Sequence, residues 1–408
     1  MSWLVFAISA IVYWVTMEKS ASVWDCPEFI TTFHKLEVGH PPGAPFYMLA
    51  YNAFAELFPA HGDWIAIAGN ALSGLLSGLT ILLLFRTISH LIRRSFILRT
   101  ASWREEAEIP ADYAWIALGS ALVGSLTYAF TDTFWYSAVE SEVYAFSSFF
   151  TALVFYLILK WEETRNPIKE DRWLLLTAYL MGLSVGVHLL NLLAIPAMAL
   201  VYYFKRTEKA TWRGGLVATL LSFVLIAVIL FGIIPGVPEV AGYFDLFFVN
   251  TLGLSYNSGL ICYVLVLALV MGLTLYASMR RPVPMTLLRV GFLSTCILLG
   301  IPFMGSGWIV PIIVIAAIVW YLWYSKRTDA HRLAQLTMAM GLLFAGISTY
   351  GVILVRANSD IPMNQNTPAD VFALRYYLSR EQYGSTPLIY GQTYASLPEY
   401  DAQGRPVT

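Results

Sequence analysis

The chain has few cysteines, little charge, and almost no ionisable groups inside its apolar stretches. Its three cysteines, Cys26, Cys262 and Cys296, lie far apart in 408 residues. That spacing excludes a disulfide framework and a zinc-ligand pattern. Charged residues make up 12% of the chain and the net charge is −1, so the basic footprint needed to grip nucleic acid is missing. No internal repeat or low-complexity tract is apparent. The first apolar segment, MSWLVFAISAIVYWVTM, lacks a basic n-region and a small-residue cleavage site. It is therefore expected to be a retained helix and not a signal peptide.

What is present is apolar bulk. Hydrophobic residues account for 58% of the chain, with 13 Trp, 24 Tyr and 24 Phe, and the mean hydropathy is +0.64. These values point to an all-α polytopic membrane protein, because only helices or closed barrels satisfy the backbone in lipid. Candidate spans cover residues 2–17, 64–85, 112–131, 143–160, 173–188, 189–204, 214–235, 259–278, 289–304, 308–324 and 333–355, about eleven in all. The joins near 188 and 304–308 are tight, which leaves the count open by one or two.

The positive charges set an orientation. Loops 86–111, 160–172, 205–213, 279–289 and 325–332 hold 19 of the 25 Lys and Arg residues. The alternate loops hold only Lys19 and Lys35, and the tail from 356 carries Arg356, Arg375, Arg380 and Arg405. Under the positive-inside rule the basic loops are cytoplasmic. The N-terminus is then cytoplasmic, while the first loop and the tail lie outside. The expected division is a membrane domain over 1–355 and an external segment over 356–408, with the chain expected to stop before that segment is complete.

Ion-coupled transporters need ionisable groups at mid-membrane, and the span interiors here hold essentially none. The acids gather at external helix ends: Asp25 and Glu28, then Asp132, Glu140 and Glu142, then Glu239 and Asp245. The densest cluster is the first loop, WDCPEFITTFHKLEVGHPPGAP at 24–45, with Asp25, Glu28, His34, Glu37 and His40 within sixteen residues. Spaced by three, Asp25 and Glu28 would share one face of a helical turn. Such a pair can divide proton transfer from orientation, with Trp24 placing it at the interface. The bland alternative is helix capping, or pairing with Lys19 or Lys35. Two glycines and three prolines in GHPPGAP specify a rigid turn that fixes His40. Its alternative is a plain loop-to-helix joint.

Further candidates lie on other external loops. WYSAVESEVYAF at 135–146 places Glu140 and Glu142 at a helix mouth, where, taken alone, an aromatic belt with two surface carboxylates is the slightly better explanation. GVHLLNLLAIP brings His188 and Asn191 to another external junction, where a lone histidine is more often an ordinary hydrogen-bonded residue. The tail motif LVRANSDIPMNQNTPAD begins with Arg356 and contains Asn364. A phosphate-bearing substrate would need cations, and Arg356 is the leading candidate on a cation-poor face. Asp25, Glu28 and Glu140 are chemically able to hold a divalent cation, but their spacing does not demand one.

WDCPEF, HPPGAP, ESEVYAF, GVHLLNLLAIP, RANSDIPMNQNTPAD and the following SREQYG and PLIYGQ stretches together resemble the family called domain of unknown function 2723. That family includes the transmembrane protein 260-like protein O-mannosyltransferases. The resemblance implies a GT-C-like glycosyltransferase with a catalytic first external loop. It further implies a polyprenyl-phosphate sugar donor, an acceptor hydroxyl, Asp25 as the catalytic acid of the loop and Glu28 beside it. The expected substrate-binding residues are then Trp24, His40, Glu140, Glu142, His188, Asn191, Arg356 and Asn364. The expected partners are the lipid-linked sugar, an exported protein acceptor and the bilayer. A lipid-linked saccharide flippase or transporter is the alternative.

Overall fold

The structure is a computed structural model describing residues 1–405 apart from 60–61, 101–108, 306, 326–327, 385–390, 392–394, 396 and 398. Arg104, Lys326 and Arg327 of the basic loops, Pro387 and Pro398 of the tail, and most of PLIYGQ lie outside the described residues. Helix makes up 76% of the described residues and no strand forms among them, so the all-α reading holds.

The chain enters with α1 (Ser2–Thr16), α2 (Cys26–Lys35) and α3 (Pro45–Ala55), followed by α4 (Gly62–Thr100), α5 (Ala111–Ala129) and α6 (Asp132–Val139). Next come α7 (Val143–Glu163), α8 (Pro167–Val185), α9 (Ile195–Arg206), α10 (Trp212–Ala227), α11 (Ile234–Asn250) and α12 (Ser258–Met279). The remainder is α13 (Met285–Leu298), α14 (Ile309–Tyr324), α15 (Ala330–Ile347), α16 (Gly351–Ala357) and α17 (Val371–Leu378). Local chemistry explains the boundaries. Asn166 accepts N–H bonds from Ile168 and Lys169 ahead of Pro167 to start α8, and Asp370 does the same for Phe372 and Ala373 in α17.

Each of the eleven expected stretches falls on a helix, but their lengths are uneven. Six helical stretches are long and apolar enough to cross a membrane, and the bent pair α5–α6, broken by 66°, makes a seventh. Three more, α1, α13 and α14, are apolar but shorter. α8 opens with Lys169, Glu170, Asp171 and Arg172, and that charge dilutes its apolar window. The basic loop expected at 86–111 is helical through Thr100 as the long α4. Apolar side chains such as Leu220 and Phe223 on α10, and Ile309, Ile312 and Ile313 on α14, face outward. A surface of that kind suits lipid and not water, as in a multi-pass membrane protein.

The main core lies beneath the first loop. Phe29, Phe33, Tyr47, Tyr51, Phe146 and Phe150 pack there with Val185, Tyr350 and Tyr377. Tyr47 and Tyr51 stack at 3.9 Å. Fully burying each such side chain is worth about 1.5–3 kcal/mol. The first loop is therefore packed as core and is not a free connection.

Candidate active site

The first loop is mostly helical. Asp25 is the N-cap of α2, its carbonyl accepting the Phe29 N–H at 2.9 Å, with Pro27 in the first turn. Glu28 sits one turn on. The helix ends at Leu36, which adopts a left-handed φ of 50°. The chain then turns back so that Val38 forms an isolated parallel bridge with Asn364 of the tail, by Val38 N–H to Met363 C=O and Gln365 N–H to Val38 C=O.

This turn brings His40 onto Glu28. The His40 backbone N–H donates to Glu28 Oε1 at 2.7 Å, and His40 Nδ1 lies 2.8 Å from the same oxygen. Gly39 permits the approach, since a Cβ there would fall 2.6 Å from Glu28 Oε1. Burial works to raise the Glu28 carboxyl, but His40 and, to a smaller degree, Gln365 hold it below the usual carboxylate range. The same hydrogen bond raises His40 against the effect of its burial. Two tyrosines clamp the turn from the C-terminal side. Tyr377 donates to the Gly39 carbonyl at 2.7 Å, and the Tyr350 hydroxyl lies 3.5 Å from the Gly43 carbonyl while also reaching the Val185 carbonyl at 3.2 Å.

Beside this pair opens a cavity of about 320 Å³, lined among others by Asp25, His40, Glu142, Tyr144, His188 and Arg380. Asp25 is exposed to it, and no hydrogen bond or ion pair engages its carboxylate among the described residues. Glu142, in the break between α6 and α7, is only 5% exposed. Burial, then the charges of Asp25 and Glu140, push its carboxyl up to about 7. His188 caps the 3-10 turn Leu189–Ala194 by accepting the Leu190 N–H at Nδ1, with its ring 5.6 Å from that of Tyr144. Burial and then Arg380 lower it, so it is neutral near pH 7.

Several sequence candidates lie elsewhere. Arg356 is not in the cavity lining. Its Nε and guanidinium NH2 donate to the carbonyls of Leu36 and Lys35 at 2.6 and 3.0 Å, which closes the C-terminal end of α2. Asn191 is fully buried, accepting from Ser147 and Thr151 and donating to the Ser184 carbonyl, so its polar groups are occupied. Asn364 donates to the Ala357 carbonyl and acts through its backbone at Val38. Glu140 accepts from Ser22 and reaches the site through its charge on Glu142. Trp24 is 90% exposed and is not in the lining. Of the other acids, Glu239 pairs with Arg375, while Asp245 accepts the Asn257 and Gly259 N–H groups ahead of α12.

Sequence reasoning did not single out Tyr144, Tyr350, Tyr377, Arg380 or the buried Asn70. Asn70 ties two turns together, donating to the Glu18 and Ser20 carbonyls and accepting from Ser141. The ESEVYAF and SREQYG stretches did mark the neighbourhoods of Tyr144 and Arg380; a lone Tyr or Asn in an apolar helix carries no comparable signal.

Asp25, Glu28 and His40 present ligand atoms within 4.8 Å of one another. Two carboxylates and an imidazole suit a transition ion such as Mn²⁺ better than Ca²⁺, which takes about six to eight oxygens. Glu140 is not part of that set.

Residues 25–211 match the family model described as the N-terminal domain of protein O-mannosyl-transferase TMEM260. Over that segment the chain is TMEM260-like. The mouse protein O-mannosyl-transferase TMEM260 is 26% identical over 220 residues, 54% of this chain and 28% of the relative. The Dictyostelium discoideum protein of the same name is 21% identical over 235 residues, covering 55% and 26%. The chain thus covers little more than a quarter of the length of these curated relatives. No solved structure matches it. The TMEM260-like segment begins at Asp25 and includes every cavity-lining residue named above except Arg380. The tyrosines that brace the HPPG turn, Tyr350 and Tyr377, also come from beyond it.

Proposed function

We propose that the protein is a GT-C-like membrane glycosyltransferase that moves a hexose such as mannose from a polyprenyl-phosphate donor to a hydroxyl of an exported protein. The observation that carries this reading is the cavity itself. An unpaired carboxylate, Asp25, faces it beside a buried carboxyl, at one end of an apolar helical bundle whose first loop is TMEM260-like. In this reading all eleven expected spans cross or enter the cell's inner membrane, with 1–355 as the membrane domain and 356–408 starting an external segment. The N-terminus is cytoplasmic, and the first loop and the tail are outside.

Asp25 accepts the proton of a Ser or Thr hydroxyl as that oxygen bonds to the anomeric carbon. The bond from that carbon to the phosphate oxygen breaks, and its electron pair leaves with the lipid phosphate. Attack opposite the leaving group inverts the anomeric centre. Glu28 acts indirectly by holding His40 at the cavity wall, while Glu142 and Tyr144 line the space for the sugar. Glu140 adjusts the charge at Glu142; His188, Asn191, Asn364 and Arg356 shape the surrounding walls and turns.

The test is transfer of labelled mannose from polyprenyl phosphate to a Ser/Thr peptide by the full chain purified in detergent. Transfer without a second compartment supports the enzyme. Absence of transfer, together with lipid-linked sugar crossing in vesicles, supports a flippase and sinks this proposal.

A further inference from the structure

We propose that Arg380, contributed by the C-terminal segment beyond the TMEM260-like domain, is the residue that binds the lipid phosphate in this cavity. The inference rests on the transferase reading for its substrate but on separate observations for its residue. The cavity is lined by two carboxylates, Asp25 and Glu142, two histidines, and one guanidinium. His40 is already tied to Glu28 through Nδ1, so the pair adds little net charge. His188 uses Nδ1 to accept a backbone N–H.

Arg380 differs from both. No carboxylate pairs with it among the described residues, and its guanidinium only lies over the Tyr383 ring at 5.0 Å. An Arg left unpaired in a space that also holds two carboxylates is placed for a ligand anion. Arg380 follows Ser379, the C-cap of α17, with a left-handed φ of 56°, a conformation that Asn or Gly adopts more easily. The conformation carries the side chain off the end of α17, which Tyr377 fastens to the HPPG turn.

The transfer step shows why a cation is needed there. Breaking the glycosidic bond turns a singly charged phosphodiester into a monoester with one more negative charge. Because Asp25 takes up the acceptor proton in the same step, the negative charge moves from Asp25 to the phosphate, and a cation held at the phosphate favours that shift. Arg356, bound to two carbonyls of α2, is not available for it.

The probe is polyprenyl phosphate, without sugar, bound to the full chain in detergent, with inorganic phosphate as a parallel arm. Arg380→Asn suits the left-handed backbone and removes the charge; the expected result is weaker lipid binding on the order of tenfold to a hundredfold. Arg380→Lys is expected to fall between, because the charge stays while the two-pronged contact goes. Asp25→Asn should still bind. Undiminished lipid binding by a folded Arg380→Asn overturns the inference, as does binding of inorganic phosphate as tight as that of the lipid. If Arg380-dependent binding appears without any transfer, the transferase reading fails and this inference stands. If transfer occurs and Arg380→Asn keeps full kcat/KM, the inference falls and the transferase reading stands.

Discussion

The two ends of α7 handle charge in opposite ways. At its C-terminal end Glu163 meets His90 at 3.0 Å and Lys160 at 2.8 Å, and Glu162 pairs with Arg94. Beside them Glu170 bridges Lys205 and Arg206 at 3.0 and 2.8 Å, with Lys205 4.3 Å above the Trp161 ring. At the N-terminal end, 21 residues and roughly 30 Å away, Glu142 and Asp25 share a cavity without a matching ion pair. A network whose charges are mutually satisfied has little electrostatic field left for a ligand. Carboxylates left unpaired beside an unpaired guanidinium hold their field for whatever enters. The paired end is built as scaffold, and the unpaired end is where the proposed chemistry would sit.

The largest effect expected from breaking this comparison is at Asp25. Asp25→Asn keeps the N-cap backbone and the side-chain volume but removes the proposed base. Transfer should fall by about 10²–10⁴-fold with the melting temperature in detergent unchanged. A variant that transfers normally would remove Asp25 from the mechanism. At the scaffold end the signs reverse. Glu170→Ala leaves Lys205, whose side chain is 6% exposed, without its counter-ion. That should cost about 3 kcal/mol of stability, read as a lower melting temperature. Turnover per folded molecule should hold; a drop in turnover without a drop in stability would refute the division of roles.

A smaller effect, in rate alone, sharpens the unpaired end. The Glu142 carboxyl is raised from its usual 4.5 to about 7, so it holds a proton between those values and releases it as pH rises through about 7. Ionisation then places a second negative charge beside Asp25, which should repel the donor phosphate. Donor KM is expected to rise by roughly tenfold per pH unit at most above that point. In Glu142→Gln, which cannot ionise, the profile should be flat. A wild-type profile that is already flat through pH 7 would argue against a buried Glu142.

Most of the helices and the polar focus of this molecule are legible in the sequence because both are one-dimensional signals. Apolar run length marks each expected span, and density of charge against an oily background marks 24–45. Pairing between distant segments is not legible in that way. Asp25, His40 and Glu142 were reachable from motif density, and they do line one cavity. Arg356 and Asn191 carried equally good local signals, yet their polar groups are taken up by carbonyls and hydroxyls. Nothing in the residues around position 356 reveals that α2 ends within reach of its guanidinium. Glu239 and Asp245, grouped with the other acids only by their place near helix ends, are engaged instead by Arg375 and by backbone N–H groups at the start of α12.

The smallest effect tests whether the C-terminal segment holds the unpaired end open. Tyr377 is fully buried and its hydroxyl reaches the Gly39 carbonyl, next to the His40 N–H that Glu28 accepts. Tyr377→Phe keeps the ring in the core and removes only the hydroxyl, shared between the Gly39 and His40 carbonyls, a hydrogen bond worth about 1 kcal/mol. Global stability should change by no more than that, because the aromatic burial is kept. The loss should instead appear as faster amide exchange at His40, whose N–H is otherwise shielded by the Glu28 contact, by about fivefold. Exchange at the paired end, in α8 and the last turn of α7, should not move. Equal acceleration at both ends would mean that the hydroxyl supports the whole bundle. Acceleration confined to residues 39–43 would tie the posture of the first loop to a residue 338 positions away and outside the TMEM260-like segment.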